Sequence, residues 1–156
     1  MTLGIAIAVG LHQLATIVWI GGMFFAHLAL RPAVKQTVKV PDRLLLMRGV
    51  FGRFFPWVWG SILLLWGSGL WLFLVAFKAK APVHVHVMMG IALVMTLVFV
   101  YIYVMPYRKL KIAIDYENWS WAAAKLALIR RLILVNLLLG LITALAGSSG
   151  RLLLGA

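Results

Sequence analysis

Four long apolar runs constrain this chain more than any other feature. They are Leu3–Leu30, Pro56–Phe77, Val83–Met105 and Leu132–Ala146, the last extending backwards through "AAAKLALIRR". About 20 helical residues cross the ~30 Å hydrocarbon core of a bilayer, so the runs predict spans over about 3–30, 56–77, 83–105 and 122–146. None alternates apolar with polar residues. In lipid a backbone must satisfy its own hydrogen bonds, and unbroken apolarity then means helices. Composition agrees: 65% of the 156 residues are hydrophobic and only 12% are charged, against about a quarter in soluble domains. The expected fold is an all-α integral membrane protein, one four-helix transmembrane bundle over residues 1–156. No Lys or Arg precedes the first run, and that run is too long for a cleavable signal, so it is expected to stay as the first helix.

Charge orients the bundle. Arg31, Lys35, Lys39, Arg43, Arg48 and Arg53 fall between the first and second spans; Arg108, Lys109, Lys111, Lys125, Arg130 and Arg131 fall between the third and fourth. Only Lys78, Lys80 and Arg151 lie on the other side. The positive-inside rule then puts both basic segments in the cytoplasm and both termini outside, as a multi-pass protein of a bacterial inner membrane. The net charge of +12 is thus expected to meet lipid headgroups rather than nucleic acid, since no aromatic-interleaved basic motif lies elsewhere. Arg130 and Arg131 read as lipid-facing charges.

Prolines and polar residues mark the joints. Pro32 ends the first helix. In "VPDRLLLMRGVFGRFF", Asp42 is expected as an N-cap. Apolar residues recur there at helical spacing between arginines, which predicts a short interfacial amphipathic helix before the second span. Pro56 either kinks the chain or opens that span. Pro82 suits the first turn of the third helix, and Pro106 closes it or bends it into a basic extension. Trp57, Trp59, Trp119 and Trp121 read as an interfacial belt, with Trp19 and Trp66 deeper. The acidic residues Asp42, Asp115 and Glu117 all lie outside the spans, which argues against paired-acid chemistry or a carboxylate relay. The chain has no cysteine, so disulfides, iron–sulfur clusters and thiolate-ligated metals are excluded.

The chemistry must come from histidine and methionine. His12 and His27 stand about 22 Å apart along one helix at ~1.5 Å per residue, too far to share a metal. His27 can reach the headgroups beside Arg31. His12 is too deep to do so, and an ionisable residue at that depth marks a functional site. Its partner is expected from "PVHVHVMMG": His86 lies within ~5 Å of the same depth, whereas His84 is shallower and expected to be solvated. Trp19 lies on the same face of the first helix as His12. In the fourth span Asn136, Gly140, Thr143 and Gly147 share one face, a pattern of close helix packing in which Asn136 can also support a ligand.

Three readings of an outer-half His12/His86 site stand side by side. The first is copper: Met89 lies near the face of His86, with Met88 and His84 as weaker candidates, and thioether with imidazole suits Cu(I). The second is a bis-histidine haem b in a membrane redox protein, with Gly67, Gly69, Gly90 and Gly140 making room for the porphyrin. The third is a structural or assembly subunit in which the two histidines only hydrogen-bond each other.

The segments "LHQLATIVWIGGMFFAHLALRPAV", "RFFPWVWGSILLLWGSGLW", "VHVMMGIALVMTLVFVYIYVMPYRKLK" and "IRRLILVNLLLGLITALAG" together resemble the CopD-type copper-resistance membrane domain over nearly the whole chain. The resemblance implies inner-membrane copper handling, with His12 and His86 at the family's intramembrane histidine positions. A periplasmic copper carrier or redox partner is expected with it, and, because four helices alone make a poor channel, size separately points to homo-oligomers or a partner. A more distant likeness is to HemJ-type protoporphyrinogen oxidases, where Met88 stands at the place of a lysine.

Overall fold

An apolar chain in lipid has no partner for its backbone except itself, and every span here is helical. The computed structural model describes residues 2–77 and 81–153; Lys78 and Lys80 lie outside these. Among the described residues there is no strand. The helices are α1 (Thr2–Thr37), α2 (Asp42–Val75), α3 (Val83–Val104), α4 (Pro106–Asp115) and α5 (Trp119–Leu153). Four helical stretches are long and apolar enough to cross a membrane, α3 and α4 together forming the third. Leu3, Leu63, Val83 and Leu145 are among many large apolar side chains left exposed on the outside of the bundle. In water such a surface would be a liability; in a bilayer it is the solvent-facing side. The chain is a multi-pass membrane protein.

The joints differ from the sequence expectation in three places. The first helix does not end at Pro32 but runs on to Thr37, because the proline falls in the first turn after a π turn at Ala26–Leu30, where its missing N–H costs little. The amphipathic segment is not a separate helix before α2 but its opening turns, and α2 continues through Pro56. The cause is packing. Leu44, Met47, Phe51, Phe55, Val58 and Ile62 are all buried and follow one another at three- and four-residue steps, so one seam runs across the proline. A seam of that length outweighs the ~3 kcal/mol that an interior proline costs. Asp42 opens α2 without capping it: the N-cap position is Pro41, with no side-chain hydrogen bond. Pro106 does both things expected of it, ending α3 and starting the amphipathic α4.

Two single π turns, Ile17–Gly21 and Ala26–Leu30, interrupt α1. Each widens the helix by closing i→i+5 bonds, so the 100° wheel does not carry phase from His12 to His27. The buried side of α1 is still the expected one, with Ala8, Ala15, Trp19 and Met23 inside.

The two basic segments meet at one end of the bundle. Arg48 in α2 pairs with Asp115 at the end of α4 at 2.5 Å. Both side chains are substantially exposed, so the pair contributes no more than about 1 kcal/mol; its value is that it locates α4. Leu110, Ala113 and Ile114 of α4 are buried with Ala122, Leu126 and Ile129 of α5 in the same core cluster. Between these helices Glu117 takes φ 54°, and Asn118 caps α5: its Oδ1 accepts the Trp121 N–H at 3.1 Å and the Ser120 hydroxyl at 3.0 Å.

One hydrogen bond stitches each successive pair of spans. His12 in α1 meets Ser68 in α2, Trp66 in α2 donates to Thr96 Oγ1 in α3 at 3.1 Å, and Asn136 Nδ2 in α5 donates to the Met95 carbonyl in α3 at 3.0 Å. Towards the basic end an aromatic stack fills the space between α2 and α3. Phe55 packs edge-on to Phe99 and Tyr107, and Trp59 edge-on to Phe99 and Tyr103. Trp59 therefore belongs to this stack rather than to an interfacial belt, while Trp57 is exposed as expected.

Asn136 is 1% exposed, and its Oδ1 is buried with no partner. Asn136→Leu removes one interhelical bond and one orphaned acceptor together, so stability in detergent is expected to change by less than about 1 kcal/mol. Asn136→Asp would set a carboxyl against the Met95 carbonyl and is expected to cost about 3 kcal/mol. Unfolding of both variants in SDS, followed by circular dichroism, measures the difference; equal losses would refute this account.

Candidate functional site

His12 sits in α1 where small side chains let a neighbour approach. Its ring lies against Gly69 of α2: a Cβ at that glycine would stand 3.2 Å from His12 Cε1. The same close approach brings His12 Nδ1 to 2.9 Å from Ser68 Oγ. Ser68 has one hydroxyl proton, and it is committed elsewhere, to the Leu64 carbonyl at 2.5 Å. Ser68 Oγ must then accept, and His12 Nδ1 must carry the hydrogen. A neutral imidazole with a protonated Nδ1 keeps its lone pair on Nε2.

His86 reaches the same state by another route. Its Nδ1 lies 3.3 Å from the Pro82 carbonyl one turn back in α3. A carbonyl can only accept, so this nitrogen also carries the hydrogen, and the neutral ring would hold its lone pair on Nε2. Phe73 of α2 stands edge-on to the His86 ring, centroids 5.6 Å apart. Both histidines thus border the same stretch of α2, away from the basic end, at Ser68–Gly69 and at Phe73. Those contacts are about 7.5 Å apart along the helix axis at ~1.5 Å per residue. The interhelical hydrogen bond expected between the two histidines is made instead by His12 and Ser68.

The remaining candidates divide. Met88 is turned to α5, where its Cε would lie 2.9 Å from a Cβ on Gly147; it is a packing side chain. Met89, three residues after His86, is half-buried. His84 differs from the expectation of a solvated ring, because its Nδ1 is buried without a partner. Trp19 is buried and packs edge-on to Phe99 at 6.3 Å; it belongs to the core. Asn136 is held by Met95, as described above. No group of three or more His, Cys, Asp or Glu side chains converges among the described residues, so an ion held by such side chains alone would have at most two ligands.

Porphyrin fit can be tested on the glycines. Gly69 is filled by His12, and a Cβ at Gly140 would meet Ile20 Cγ1 at 2.9 Å and Met95 Cε at 3.1 Å. Gly67 and Gly90 meet nothing within 4 Å, but both are exposed. Two of the four glycines expected to line a haem slot are therefore closed by side chains, and the other two open outward. As packed, these four glycines line no open slot between the spans. A single ion needs no such slot.

Compared with known proteins, the chain matches no family model, no curated protein and no solved structure. The site rests on its own chemistry.

His27 lies at the other end. With Arg31 of α1, Met47 and Phe51 of α2 and Arg130 of α5 it borders a shallow recess. Arg130 corrects the expectation of a lipid-facing charge: it is half-buried, and its Nε is buried without a partner. Arg131 is exposed as expected. Sequence reasoning passed over Ser68 and misread Arg130. The signal for Ser68 was a hydroxyl between two glycines in "WGSGLW". For Arg130 it was helical spacing, four residues after buried Leu126 and three before buried Ile133.

Proposed function

We propose that this chain handles copper in a bacterial inner membrane, binding Cu(I) through Nε2 of His12 and His86 with Met89 as an auxiliary thioether. The observation that carries the reading is the state of the two rings. Each has its Nδ1 hydrogen engaged, by Ser68 and by the Pro82 carbonyl, which leaves Nε2 as the free donor. Metal-ligating histidines almost always have their other ring nitrogen anchored in this way. Neutral imidazole and thioether, with no carboxylate and no thiolate nearby, suit a soft monovalent ion. Copper is cargo in this reading, and a periplasmic carrier on the side of the termini supplies or receives it. The orientation follows from the basic end facing the cytoplasm. The resemblance to the CopD-type domain supports the same assignment.

The test is metal analysis and a visible spectrum on one sample purified in mild detergent. About one Cu(I) per chain is expected after loading, falling to background in His86→Ala, with no Soret band. A Soret band that disappears in both His12→Ala and His86→Ala would replace copper with haem. Wild-type protein that takes up neither would end both readings.

A further inference from the structure

The basic end of the bundle holds a second site unrelated to copper. Arg31 and Lys35 from the end of α1, Arg43 from the start of α2 and Arg130 from α5 line one shallow recess, over a floor of Val34, Met47 and Leu126. His27 borders its deeper edge beside Arg31 and Arg130. No acidic side chain lines it. Of the three acids in the chain, Asp115 is engaged by Arg48, the one ion pair among the described residues. Three separate helical segments therefore bring four cations together with no carboxylate between them. Arg130 also keeps Nε buried and unpartnered, a donor that a protein normally satisfies. Like charges brought together in this way repel one another, and an anion between them relieves that repulsion.

We infer that the recess binds the phosphate of an anionic phospholipid headgroup, with Arg130 at its centre and Arg31, Lys35 and Arg43 around it. Guanidinium groups match phosphate geometry with paired donors. The shape selects a lipid over a soluble phosphate ester. The recess is shallow, with an apolar floor beneath its four cations, and it lies at the end of the spans where the basic segments gather. A headgroup can dock there while its acyl chains stay in the bilayer. Basic pockets between transmembrane helices on the cytoplasmic side are a recurring form of such recognition.

The experiment is native mass spectrometry of the full chain released from detergent. Phosphatidylglycerol or phosphatidylcholine is added at matched concentration, with and without millimolar inorganic phosphate. Phosphatidylglycerol is expected to be retained about tenfold better than phosphatidylcholine by the wild type. The preference should fall to about twofold in Arg130→Gln and persist in Arg131→Gln, whose side chain is exposed. Arg43→Gln, at the rim, provides the same readout if Arg130→Gln does not fold. Equal retention of the two lipids overturns the proposal, and so does an equal loss in the Arg130 and Arg131 variants, which would mean diffuse attraction. Displacement of the lipid by inorganic phosphate would assign the site to a soluble anion and overturn the lipid assignment.

Discussion

His12→Ala is expected to lower Cu(I) affinity at least about 100-fold, and Ser68→Ala about 10-fold, with the fold intact in both. The gap between them is the informative quantity. His12 supplies the donor atom, so its loss leaves one imidazole where two were needed. Ser68 supplies only the anchor. Its hydroxyl proton goes to the Leu64 carbonyl and its oxygen accepts from His12 Nδ1. Removing it frees the ring to rotate and to exchange tautomers without deleting the ligand. Loss of such a supporting hydrogen bond costs about 10- to 100-fold in metal affinity. Competition against a chromophoric Cu(I) chelator measures all of this in one detergent preparation. Gln13→Ala, one residue from His12 but exposed, should match the wild type. Copper binding by His12→Ala at wild-type affinity would remove α1 from the site. Ser68→Ala as damaging as His12→Ala would show that the serine is itself a ligand.

How far the sequence foretold this arrangement depends on the kind of interaction involved. The spans were legible because lipid imposes a simple condition, long apolar runs with satisfied backbones, and a single sequence states it directly. The end at which the charges gather was legible for the same reason. What was not legible came from packing between helices. Pro56 reads as a joint, yet the buried seam from Leu44 to Ile62 carries α2 straight through it. Trp59 reads as an interfacial anchor, and Phe99 and Tyr103 draw it into a stack instead. The π turns in α1 have no clear sequence mark, and they void any angular argument from His12 to His27. The site itself was half visible. A histidine deep in a span is conspicuous, but its partner is chosen by which helix can come close. Gly69 lets α2 come close to His12, so Ser68 rather than His86 takes its hydrogen. Arg130 shows the opposite error: its charge suggested lipid, although its spacing with Leu126 and Ile133 placed it inside.

That dependence on close approach makes Gly140→Leu a strongly disruptive change, with an expected loss of about 3 kcal/mol. At Gly140 a Cβ alone would stand 2.9 Å from Ile20 Cγ1, 3.0 Å from Ile20 Cδ1 and 3.1 Å from Met95 Cε. Isoleucine is stiff at χ1 because it branches at Cβ, so Ile20 cannot fold away, and α1 must move off α5. Met95 Cε is the end of a flexible side chain and can give way, so the strain falls on Ile20 and the α1–α5 contact. Forcing extra methylenes into such a contact costs about 1–3 kcal/mol. Gly147→Leu is expected to be milder, below about 1 kcal/mol, because the atoms it meets are the Sδ and Cε of Met88, the end of a flexible side chain. Gly60 meets nothing within 4 Å, and Gly60→Ala should stabilise slightly, since alanine is the better helix former by up to ~1 kcal/mol. SDS unfolding of the three variants, followed by circular dichroism, gives the ranking. If Gly140→Leu unfolds with Gly60→Ala rather than far below it, α1, α3 and α5 do not meet at this glycine.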